Sequence, residues 1–108
     1  MPEGEVFLTS DAQAYLENIL SYIEAYDSRD RSDYVYQRIK NAILNLSAFP
    51  RRGRVVPELK DIGVLDYREV FFKPYRILYF IEAPHVYVIG IFDGRRDLEE
   101  LLHRRLFP

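Results

Sequence analysis

An α+β domain is predicted by two observations. Apolar residues recur at spacings of three and four from residue 10 to residue 49, the period of two amphipathic helices. After Gly53 the period changes, and from Asp66 three β-rich runs follow, parted by Lys73-Pro74 and by Ala83-Pro84-His85. Connections this short make hairpins, so the three runs form an antiparallel meander, and the expected order is β-α-α-β-β-β-α with the helical hairpin on one face of an antiparallel sheet.

The first strand is Glu5-Val6-Phe7-Leu8. Ser10-Asp11-Ala12-Gln13 reads as a capping box opening the first helix, with a stripe of Tyr15, Ile19, Tyr22, Ile23 and Tyr26. The polar turn 27–31 leads to Ser32, the expected cap of a second helix with the stripe Val35, Ile39, Ala42, Ile43, Leu46 and Phe49, ended by Pro50 and Gly53. Residues 51–59 read as irregular. The strands are Tyr67 to Phe72, Tyr75 to Glu82 and Val86 to Phe92, and Asp97-Leu98-Glu99-Glu100 caps a terminal helix with Arg104 and Arg105 near its negative end.

The 108 residues are read as one domain, 1–108, long enough to bury a core without metal or disulfide. There is no cysteine, which excludes thiolate nucleophiles and cysteine zinc sites and suits a reducing, cytoplasmic setting. No apolar stretch approaches the ~20 residues of a membrane span, and the opening MPEGEVFLTS lacks the basic and apolar regions of a signal peptide. The net charge of −2 is unevenly spread: residues 1–33 carry eight acids against two arginines, and residues 34–108 thirteen bases against nine acids. An anionic partner would therefore meet the later part of the chain.

Arg95 and Arg96 follow a strand end at Asp93-Gly94, where a fixed strand can present guanidinium groups to phosphate or carboxylate; pairing with Asp93, Asp97 or Glu100 is the alternative. Arg68 and Arg76 stand inside strands, so each is either paired with an acid such as Glu69 or presented on an open sheet face. Arg51, Arg52 and Arg54 form a basic loop. Tyr15, Tyr22 and Tyr26 fall on the helix stripe and are read as core. The two histidines, His85 and His103, have no second histidine at ligand spacing, and neither a Gly-rich phosphate loop nor a serine nucleophile motif is present. No metal, cofactor or committed catalytic constellation is expected.

Four segments in order, LTSDAQAYLENILSYI, LNLSAFPRRGRVVPEL, YREVFFKPYRILYFI and VYVIGIFDGRRDL, resemble the RelE/ParE superfamily, the toxin halves of bacterial type II toxin–antitoxin modules. The helix exit, DYREV, PYRILY and GRRDL are closer to the ParE branch. That resemblance implies a binding protein that inhibits DNA gyrase and is neutralised by a cognate antitoxin, with Arg68, Arg76, Arg95, Arg96, Asp97, Arg104 and Arg105 at the partner surface. The RelE branch would instead imply a ribosome-dependent mRNA endonuclease, using Arg68, Arg95, Arg96 and His103, with Asp93 as the alternative proton carrier. Against it, the chain has Val70, Phe71 and Phe72 where further strand bases are expected, and no tyrosine after Tyr87. A third reading is a non-toxic remnant that still binds its antitoxin. Asp93 also stands where many ParE relatives have histidine.

Overall fold

The computed structural model describes residues 4–95. β1 (Val6–Leu8) leads into α1 (Ser10–Tyr26) and α2 (Arg29–Leu44); β2 (Arg54–Val55) and the one-turn α3 (Pro57–Lys60) precede β3 (Tyr67–Phe72), β4 (Tyr75–Glu82) and β5 (His85–Asp93). The expected terminal helix lies outside the described residues.

Both helix starts fall one cap earlier than the sequence suggested. Thr9, in extended backbone, caps α1: its hydroxyl accepts from the Ala12 amide at 3.1 Å and its carbonyl from the Gln13 amide at 3.0 Å, so Ser10 is already helical. Ser28 caps α2, accepting from the Arg31 amide at 3.0 Å. Ser32 is instead buried, and its hydroxyl donates to the Leu20 carbonyl at 3.0 Å, tying the two helices together.

The core stripe of α1 runs through Ala12, Leu16 and Ile23, with Tyr15, Ile19 and Leu20 half-buried. Tyr22 and Tyr26 lie on the flank of that stripe and are 66% and 78% exposed, which corrects their reading as core. In α2, Val35, Ile39 and Ile43 face the sheet, continued by Leu46; Phe49 comes after the helix has ended and is exposed.

The five strands lie in the order β1-β5-β4-β3-β2. β3, β4 and β5 form the expected antiparallel meander, but β1 joins β5 in parallel, making the sheet mixed. The connection from β1 to β5 runs through both helices and three further strands, long enough to permit parallel pairing. Within the stretch read as irregular, β2 pairs antiparallel with β3, and Pro57 occupies the first turn of α3, where its missing N–H costs nothing. Gly63 at φ 82° ends that turn: its amide bonds to Lys60 and the next amide, of Val64, to Leu59, a Schellman closure that needs the left-handed region.

The larger core lies between the helices and one sheet face, around Ile39, Ile77, Tyr79 and Val88. On the other face Val56 and Leu59 cover Leu78 and Phe92. Beside them Phe7, Tyr87, Phe80 and Tyr67 form one cross-strand row, with adjacent ring centroids 5.4, 5.2 and 6.1 Å apart. No described helix is long and apolar enough to cross a membrane.

Candidate partner-binding surface

The strand arginines are drawn into the fold. Arg76 sits on β4 opposite Phe71, on the sheet face that α3 covers, and its guanidinium meets two carboxylates. Nε and Nη2 donate to Glu69 at 2.6 and 2.9 Å; Nη1 and Nη2 donate to Glu58 of α3 at 2.6 and 2.8 Å. Arg54 of β2 adds a bond to Glu69 at 2.8 Å. The Glu69 side chain is 0% exposed and that of Arg76 10%. Four charges of alternating sign thus join β2, α3, β3 and β4, which resolves the alternatives for Arg76 in favour of pairing with Glu69. The bond from Arg76 holds the Glu58 carboxyl below its ordinary range, while its two carboxylates, Glu58 foremost, raise the Arg76 pKa further.

Arg68 points to the helix side, and its Nη1 donates to the Gly53 carbonyl at 2.7 Å. Tyr79 completes this fastening: its hydroxyl accepts from the Gly53 amide at 3.0 Å and donates to the Pro50 carbonyl at 2.7 Å. A Cβ on Gly53 would lie 2.5 Å from the Glu69 carbonyl oxygen and 2.6 Å from the tyrosine oxygen, so only glycine fits this approach. Burial pushes the Tyr79 hydroxyl pKa up, keeping it a donor. Arg51, Arg52 and Arg54 are thereby carried on a loop pinned from beneath, with all three side chains exposed. The sequence marked the basic loop; the tyrosine that holds it carried no local signal, because an alternating strand assigns Tyr79 a face but not a partner.

Arg95 is different. The Gly94 amide donates to the Pro74 carbonyl at 2.6 Å, fixing the end of β5 to the β3–β4 turn. Asp93 then receives the Arg95 amide and Nε, both at 2.9 Å, and Nη2 at 2.5 Å. The Arg95 side chain is nevertheless 76% exposed, and its pKa is raised by that carboxylate. Tyr22, Tyr26, Arg31, Tyr75, Asp93 and Arg95 line one groove between the helical hairpin and the sheet end, with the Tyr22 and Tyr26 rings 4.7 Å apart. Burial, then the charge of Asp93, pushes the Tyr75 pKa up, so it stays neutral. Arg31 and the two exposed tyrosines were not among the expected surface residues; the helical period assigned the tyrosines inward, and only the rotation of α1 on the sheet turns them out. Arg96, Asp97, His103, Arg104 and Arg105 lie outside the described residues.

A helical hairpin packed on one face of a small sheet is the architecture that the RelE/ParE resemblance implied, with β1 making the sheet mixed. Residues 6–98 match the family model described as ParE toxin of type II toxin-antitoxin system, parDE, and the chain belongs to that family. Toxin ParE3 of Caulobacter vibrioides is 34% identical over 68 residues, a match that spans 63% of this chain and 64% of that relative. Among solved structures, a chain of the chromosomal ParDE TA system from P. aeruginosa superposes with a TM-score of 0.71 at 15% identity, covering 86% of this chain and 98% of that one, and shares the fold.

Proposed function

We propose that this ParE-family chain acts by binding: that it inhibits DNA gyrase and is neutralised in the cytoplasm by a cognate antitoxin. The observation that carries this reading is the disposition of the arginines. Cleavage of RNA without a metal needs several basic side chains aimed at one phosphate. Here Arg76 is committed to Glu58 and Glu69, and Arg68 to the Gly53 carbonyl. Arg95 remains as an exposed cation beside two exposed tyrosines, a composition suited to a protein interface, where arginine and tyrosine contribute most.

Arg95, with Arg96 and Asp97 following it in the chain, is the proposed target edge, and Arg104 and Arg105 are proposed, from the sequence alone, to meet a partner as well. The antitoxin is proposed to contribute a flexible segment that folds as it binds across the hairpin and sheet. Expression without antitoxin, followed by two assays on the purified chain, tests the reading. Gyrase-dependent DNA cleavage with intact mRNA on translating ribosomes is expected. Cleaved mRNA with no gyrase effect would contradict it, and inactivity in both assays would favour an antitoxin-binding remnant.

A further inference from the structure

The chain between β2 and β3 is fastened to the fold at few points. The amides of Leu59, Lys60, Asp61, Ile62, Gly63 and Val64 bond to carbonyls of residues 56–60, so this backbone closes on itself. The Val56 amide donates to the Tyr67 carbonyl at 3.1 Å, which joins the two ends of the segment, as in an Ω-loop. Ile62 and Leu65 are 54% and 58% exposed. Among the described residues, Leu59 and Val64 anchor the segment by packing with the patch around Leu78 and Phe92, and Glu58 anchors it by two bonds from Arg76.

The floor beneath does not depend on this cover. Leu78 is fully buried and lies on β4 opposite Gly90. The Phe92 ring lies over Gly90, where a Cβ would meet it at 2.3 Å, and it packs on Tyr15 of α1 with ring centroids 4.8 Å apart. With Glu58 withdrawn, Arg76 would keep both bonds to Glu69, and Glu69 its bond from Arg54. Lifting the segment therefore strands no buried charge and breaks no strand ladder. It gives up the burial of Leu59 and Val64 and the bonds to Glu58, which is far less than global unfolding gives up.

We infer that residues 57–66 form a strap that opens as a unit while the rest of the domain stays folded, with Glu58 as its latch on Arg76. Opening uncovers Leu78, Phe92 and the outer edge of the Arg76 guanidinium. That patch adjoins the end of β5, since a Cβ on Gly94 would lie 3.4 Å from Cγ and Cδ of Arg76. This goes beyond the proposed function and does not rest on it.

The chain has no cysteine, so a single introduced thiol reports opening by its rate of labelling in native buffer. In the full chain, Leu59→Cys and Leu78→Cys place a thiol on either side of the strap's contact. Ile77→Cys, in the helix-side core, reports global unfolding. The two strap thiols should label faster than the Ile77→Cys thiol, with a weaker dependence on denaturant. Glu58→Gln removes a charge-assisted pair and should raise strap labelling about tenfold or more. Gly63→Ala, at φ 82°, should raise it about fivefold or more. Ile39→Val should speed labelling of the Ile77→Cys thiol and leave the strap thiols unchanged. Strap thiols that follow the Ile77→Cys thiol through denaturant, that respond equally to Ile39→Val, or that ignore Glu58→Gln or Gly63→Ala would overturn the inference. Should Leu78→Cys not fold, the Leu59→Cys thiol decides alone, because its site lies on the strap. A gyrase result of either sign leaves these outcomes unchanged, so the two readings fail separately.

Discussion

Arg76 and Arg95 stand at the same end of neighbouring strands, with Phe92 opposite Arg76 and Asp93 opposite Tyr75, yet they do opposite things. Arg76 is enclosed by two carboxylates on the α3-covered face, where removing it from water is compensated by four hydrogen bonds. Arg95 is held by a single carboxylate two residues before it and stays in solvent. The difference teaches how a small domain of net charge −2 divides its cations: those with acids from several elements converging on them hold the fold together, and those with only a local acid stay in solvent.

The largest effect expected from this contrast is at the buried end. Arg76→Ala would leave the fully buried Glu69 with Arg54 alone and should destabilise the fold by about 3–5 kcal/mol, measured by denaturant unfolding. Tyr79→Phe removes two of the three bonds that pin the 50–53 loop, leaving the one from Arg68, and should cost about 1–3 kcal/mol, with faster hydrogen exchange at the Gly53 amide. Thr9→Ala should cost about 1 kcal/mol and Ser10→Ala much less, a pair of melting curves that checks the cap assignment. In acid the sign follows from Glu58. Its folded pKa is depressed, so its contribution is present above the ordinary value near 4.5 and lost as pH falls through the folded value. Stability should therefore decline below about pH 4.5, and Glu58→Gln should flatten that decline relative to the parent chain.

Much of the frame was legible in the residues. The helical period placed Val35, Ile39 and Ile43, and the two proline turns separated β3, β4 and β5 where the alternating runs break. The capping residues were misassigned by a short distance because Thr9, Ser10, Ser28 and Ser32 are all competent caps, and packing between the helices chooses among them. The parallel placement of β1 depends on which sheet edge the returning chain meets, a tertiary matter that a three-residue strand does not encode. The site was legible as a set of residue types only. Arg68 and Arg76 announced themselves as charges within strands, but their partners, the Gly53 carbonyl and Glu58, come from loops whose path the strand pattern does not determine. Tyr22 and Tyr26 show the same limit from the other side, since a stripe of spacing three and four is about a helix face wide and its flank can still be solvent.

Arg95→Ala provides the most direct test that the exposed arginine serves a partner while the buried one serves the fold. The thermal unfolding and the growth arrest produced by this variant should be measured side by side with those of the parent chain. An unchanged melting temperature with loss of growth arrest is the predicted result. Full growth arrest at an unchanged melting temperature would contradict the account, because it would mean that the sheet-end arginine is not part of the target surface.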